Sequence, residues 1–192
     1  QCKADGSGWD TSSLFNIIEQ LGHGFQLDHL FGTPDLVVCD DMGTEAADFI
    51  IADSSKKKLA FIHAKGLAGQ HRLYAASPLQ EVCGQATKNL KYLARFGTEV
   101  PSNAKKWHTW EWTAPKVQGK VTQRIRKKPS AITTGLEAWK HIQAIVRNPY
   151  AEIEVWLFLG RLLKKSSFEQ QLKANRPAAE AKQSAYLLFS TM

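Results

Sequence analysis

Residues 48–65 hold two apolar runs on either side of a polar turn: Phe49, Ile50, Ile51 and Ala52 before it, Leu59, Ala60, Phe61 and Ile62 after it. Short runs rich in Ile and Phe, bounded by turn residues, read as a β-hairpin buried on both faces. Asp48 opens the first run, and His63 and Lys65 close the second. A turn near Ser55 and Lys56 brings the second run back along the first and sets Asp48 beside His63 and Ala64. Side chains alternate along a strand, so His63 and Lys65 share a face. A carboxylate, an imidazole and an ammonium are thereby expected at the end of an apolar sheet, where charge is costly unless it has a task.

The flanking segments predict the elements around this hairpin. Asp10 or Thr11 caps a helix to Leu21, with Leu14, Phe15, Ile18 and Leu21 as its stripe and Gly22 as its stop. Asp35 to Cys39 reads as a first strand, followed by a turn at Asp40 and Asp41. Ser77-Pro78-Leu79-Gln80 is a helix start with Pro at the first helical position and a capping-box pair. That helix is expected to reach about Phe96, burying Leu79, Val82, Cys83, Ala86, Leu90 and Leu93 and placing Glu81, Gln85, Lys88 and Tyr92 on another face. Residues 98–134 lack clear periodicity apart from a hairpin around Lys116 to Gly119. A helix from Gly135 to Arg147, a strand from Ile153 to Leu159, a short helix from Ser167 to Ala174 and a last helix from Pro177 complete the order. Together these predict one α/β domain over residues 1–192, a mixed sheet flanked by helices with a basic and aromatic insertion at about 98–134.

Composition narrows the partners. A chain of 192 residues that is 43% hydrophobic fits one domain with a proper core. No run approaches the roughly 20 apolar residues of a membrane helix. The net charge of +7 favours polyanions. Lys116, Lys120, Arg124, Arg126, Lys127 and Lys128 crowd one stretch without an acid, and Lys105 and Lys106 run into Trp107, Trp110 and Trp112. Cations interleaved with flat rings suit phosphate contacts and base stacking, so these residues are the expected nucleic-acid surface. Cys2, Cys39 and Cys83 are odd in number and widely spaced, which argues against a disulfide framework and for a reducing cytoplasm. The first residues, without Met or a signal-peptide core, and the apolar last ones read as the ends of a piece of a longer protein. The G-x-x-x-x-G-K-[ST] phosphate loop and the G-x-S-x-G nucleophile elbow are both absent.

Asp48 opposite His63-Ala64-Lys65 resembles the site of the PD-(D/E)xK, or restriction-endonuclease-like, nuclease superfamily, in which an Asp and a (D/E)-x-K tripeptide on the next strand assemble a Mg²⁺ site. The resemblance covers roughly residues 10–96 and more loosely a later strand. It implies an αβββαβ core and metal-dependent hydrolysis of phosphodiester bonds, of DNA or of RNA, in bacterial defence or restriction. Asp48 would be the principal metal ligand, the Ala64 carbonyl a second, and Lys65 would orient water and stabilise developing charge. His63 stands where the family carries an acid, which implies either a variant site favouring Mn²⁺ or completion by another acid such as Glu45 or Glu19. His63 would ligate the metal, act as a base or hold the water. Gln85 and Lys88 border the site by the same resemblance. The cut-off ends and the basic character fit a nuclease module attached to a larger machine, so other domains or subunits, and a homo-oligomer, are further expected partners.

Two other functions are compatible with the residues. One is a nucleic-acid-binding module without catalysis, following from the missing acid at His63. The other is a protein-interaction domain anchored by Trp107 to Trp112.

Overall fold

The computed structural model describes residues 8–21, 28–41, 43–66, 75–108, 112–113, 120–121 and 123–191. Helix α1 (Leu14–Glu19) and the short α2 (Asp28–Phe31) precede the sheet. Strand β1 (Leu36–Cys39) pairs antiparallel with β2 (Phe49–Asp53), which turns through Ser54–Lys57 into β3 (Lys58–Gly66). The hairpin has the expected register: Phe49 faces Ile62 and Asp53 faces Lys58. Helix α3 (Ala76–Asn89) follows and passes into a 3-10 turn at Leu90–Leu93. After β4 (Trp112–Thr113), β5 (Lys120–Val121) and β6 (Ile125–Lys127) come α4 (Gly135–Arg147), β7 (Glu152–Gly160), α5 (Lys165–Leu172) and α6 (Ala179–Thr191).

The result is an α/β fold with a five-stranded mixed sheet in the order β6-β1-β2-β3-β7, flanked by helices. Strand β7 lies parallel to β3, with His63 beside Leu157 and Lys65 beside Leu159. Parallel neighbours need a long crossover, and α3 and α4 lie in it. Strands β1 and β2 and the start of β3 are apolar without alternation because helices cover both sides of the sheet. One face carries Val37, Cys39, Phe49, Ile51, Ala60 and Ile62 against Trp9, Phe15 and Ile18. The other carries Leu36, Val38, Ile50, Leu59 and Phe61 against Trp139, Ile142 and Val146 of α4. Helix α3 lays Leu79, Val82 and Cys83 beside Leu157 and Leu159 on this second face. No helix among the described residues is long and apolar enough to cross a membrane.

Several element boundaries differ from expectation, each for a local reason. Ser13, rather than Asp10 or Thr11, caps α1, because its side chain accepts from the Asn16 amide while Asp10 is turned to Ser12. The long helix expected to Phe96 tightens at Leu90 and ends in a turn closed by the Gly97 amide on the Ala94 carbonyl. Helix α5 begins two residues before Ser167, with Lys164 at its N-cap. Thr134 and Glu137 form a full capping box at α4, which starts and stops where its periodicity predicts. The hairpin expected around Lys116 to Gly119 is flanked by paired β4 and β5, and its own loop lies outside the described residues. Strand β6 was not legible as a strand, hidden inside the cation-rich run, yet Ile125 is buried and pairs with Val38 of β1.

Candidate active site

Alternation places Asp48, His63 and Lys65 on the face of the sheet that α3 covers. Asp48 stands one residue before β2, and its Oδ2 accepts a hydrogen bond from the Ala64 amide at 2.7 Å. One bond thus fixes the carboxylate against the His63-Ala64-Lys65 segment. Asp48 is only 8% exposed. Burial pushes its carboxyl up to about 7; the Ala64 amide opposes that rise, and the charges of Asp41 and Glu45 reinforce it. His63 is 1% exposed, and burial, helped by the Lys88 ammonium, drives its pKa down to about 4. The imidazole is therefore neutral at physiological pH.

Helix α3 supplies a second wall. Lys65 Nζ lies 2.7 Å from Glu81 Oε1. Lys88, two turns further on, acts on His63 through its charge, and half-buried Gln85 occupies the same helical face between them. The buried Asn89 at the end of α3 donates from Nδ2 to the Glu45 carbonyl at 3.1 Å, tying the helix to the loop before β2. That loop is fixed from beneath by Asp40, whose Oδ2 accepts from the Ala46 amide at 2.8 Å and whose Oδ1 accepts from Trp107 Nε1 at 2.6 Å. Burial raises the Asp40 carboxyl to about 7. Asp40 is enclosed in the fold, whereas Asp41, Glu45 and Asp48 form the electrostatic group at the site.

The acid expected from elsewhere is resolved in part. Glu19 is removed from the site: α1 covers the opposite face, where the Glu19 carboxylate accepts from Arg126 Nε. Glu45 is retained, and its Oε2 is buried without a hydrogen-bond partner. The Ala64 contact seen is through its amide. Among the described residues no group of three or more His, Cys, Asp or Glu side chains is arranged to hold a metal ion. Asp48 and the unpartnered Glu45 oxygen are nevertheless hard donors of the kind Mg²⁺ takes one or two at a time, keeping water for the rest. On donor chemistry the corner fits such a cation.

The expected basic surface is corrected at one residue, Arg124. Arg124 is 1% exposed, its guanidinium donating to the Asp41 carbonyl at 3.1 Å and reaching Cys39 Sγ at 3.6 Å. It braces β1 from inside, so it is not a phosphate contact. Arg126 is paired with Glu19, and Lys128 Nζ donates to the Ile132 carbonyl. Lys127 is half-buried beside a small cavity of about 210 Å³ lined also by Glu19, Gln20, Val37 and Arg126. Lys116 lies outside the described residues, and Lys120 is described only through its backbone in β5. Trp107, expected as a stacking ring or docking anchor, is buried against Trp139.

Asp41 and Glu81 are the site residues that sequence reasoning missed. An acid doublet directly after an apolar strand signals the first, and the three-to-four spacing of Glu81, Gln85 and Lys88 signals the second. Comparison with known proteins gives no match to a protein-family model, a curated protein or a solved structure.

Proposed function

We propose that this domain is a metal-dependent nuclease that hydrolyses phosphodiester bonds, DNA first, on a restriction-endonuclease-like core. The element order α1, β1-β2-β3, α3, β7, with β7 parallel to β3, supports that core. The observation that carries the reading is the Asp48–Ala64 hydrogen bond, which gathers a buried carboxylate, an imidazole and an ammonium at one sheet end.

Asp48 and Glu45 would hold Mg²⁺ or Mn²⁺. Such an ion supplies charge neutralisation at the phosphate and an acidified water. The chain's own residues do the rest. Lys65 presents an ammonium to the phosphate oxygens, and its pairing with Glu81 aims it between α3 and β3. His63, neutral, offers a nitrogen acceptor in place of the family's carboxylate. Lys88 and Gln85 line the entrance from α3 with a cation and an amide.

The second reading is a nucleic-acid-binding module without catalysis. It is favoured by the lack of a three-ligand group among the described residues. Incubating the purified chain with plasmid, linear DNA and RNA in Mg²⁺, Mn²⁺ or EDTA separates the two. Cleavage that needs the metal supports the nuclease; binding without cleavage in any metal supports the module.

A further inference from the structure

Arg124 is buried and drops out of the basic stretch, and the most exposed rings among the described residues point to a further nucleic-acid surface. Phe96 is 98% exposed and Tyr150 is 83% exposed. Each stands at the tip of a hydrogen-bonded turn. The Gly97 amide closes the first turn on the Ala94 carbonyl at 2.9 Å. In the second, the Tyr150 amide donates to Asn148 Oδ1 at 2.9 Å and the Ala151 amide to the Asn148 carbonyl at 3.1 Å. The two turns are linked, because Arg95 Nη2 donates to the Pro149 carbonyl at 3.2 Å. The rings are thus held out on preorganised backbone.

Cations lie on the same segments. Lys57 Nζ lies 5.7 Å from the Tyr150 ring centroid, and Arg95 and Arg147 are exposed on the two linked segments. The nearby acids are engaged: Glu152 pairs with Lys58 at 3.0 Å, and Glu99 lies 3.9 Å from Lys91. A lone exposed ring is ordinary on a protein surface. Two rings on joined turns, rimmed by positive charge, have the composition of a base-stacking platform.

We infer that Phe96 and Tyr150, with Lys57 and Arg95, form a binding platform for single-stranded nucleic acid, distinct from the Asp48 site. The rings stack on unpaired bases, and the ammonium and guanidinium meet the adjoining phosphates. The platform lies at the start of β3 and β7, whereas Lys65 lies at the far end of β3. At about 3.3 Å per residue the separation is about 23 Å. A strand bound here is therefore anchored away from the catalytic corner. The inference does not rest on the nuclease reading, since it concerns binding alone.

The test is fluorescence anisotropy of a labelled oligothymidylate of about 12 nucleotides, titrated with the full chain in EDTA at several salt concentrations. Removing a stacking ring weakens single-strand binding by about 5- to 150-fold, so Phe96→Ala with Tyr150→Ala should lose at least about 25-fold with the salt slope unchanged. Tyr150→Phe, which keeps the ring, should bind as the parent does. Lys57→Gln and Arg95→Gln should each lower the slope of log affinity against log salt by about 0.7. Thermal melting of each variant checks that these exposed substitutions leave the fold intact. The inference is overturned if the double ring variant binds within about twofold of the parent, if a duplex of equal length loses as much affinity, or if the parent does not bind the oligonucleotide. Because no metal is present, none of these outcomes bears on cleavage.

Discussion

Asp48→Asn should stabilise the metal-free domain at alkaline pH. The wild-type carboxyl is 8% exposed, and burial lifts its pKa from 3.8 to about 7. Over that window the unfolded chain has released the proton while the folded chain still holds it. A folded-state pKa raised on an acid means stability falls as pH rises, by about 1.36 kcal/mol per unit. The total over about three units is about 4 kcal/mol by pH 8. Asparagine removes the titration yet keeps an oxygen to accept from the Ala64 amide. Asp40 is raised for the same reason but is common to both proteins, so its contribution cancels. Urea unfolding in EDTA at pH 4, 6 and 8 should therefore show the gap between variant and parent growing by about 4 kcal/mol in the variant's favour. Adding Mg²⁺ at pH 8 should restore the parent selectively, by about 2.7 kcal/mol at a hundredfold excess over its dissociation constant. A gap that stays constant with pH refutes the claim that Asp48 is strained by burial. An equal Mg²⁺ response in both proteins refutes its assignment as a ligand.

His63 titrates in the opposite sense. Its folded pKa is about 4 against 6.5 for a free imidazole, so the unfolded chain gains a proton first and stability is lost as pH falls between those values. His63→Gln should remove about 2.4 kcal/mol of that acid sensitivity, read by urea unfolding at pH 4.5 and 7. Trp107→Phe deletes the indole N–H that satisfies buried Asp40 and should cost about 1–3 kcal/mol in the same assay. At Gly135 a Cβ would collide with the Ala104 carbonyl and Trp107 Cβ, so Gly135→Ala should lower the melting midpoint, at a cost of about 3 kcal/mol or more, despite the alanine's better helix propensity.

The hairpin and α4 were legible because each announces itself locally. Apolar runs around Ser54–Lys57 admit one register, and a one-residue slip would turn Asp48 away from the Lys65 face. Thr134 and Glu137 state the start of α4 outright. From that register alone, Asp48, His63 and Lys65 could be grouped before any coordinates. What the sequence withheld were long-range choices. Nothing local says that Arg124 folds inward to the Asp41 carbonyl while Phe96 faces water, since a guanidinium is buried only when a distant acceptor is waiting. Likewise Glu19 sits on a helix that could cover either side of the sheet, and the apolar stripe of α1 decided for the face opposite the site. The spacing of Glu81, Gln85 and Lys88 puts the acid on a shared helical face, but its pairing with Lys65 follows only once α3 is laid on β3.

The central claim is that the Asp48–Lys65 corner cleaves phosphodiesters. It is tested most directly by single-turnover cleavage of end-labelled DNA in Mg²⁺ by the parent, Asp48→Ala and Lys65→Ala, with DNA affinity and melting measured on the same preparations. The Lys65–Glu81 pair is partly exposed and worth little to the fold, so Lys65→Ala should remain folded. Each variant should lose at least about 10²-fold in cleavage rate while binding DNA nearly as well as the parent. Full cleavage by a folded Asp48→Ala protein would contradict the account.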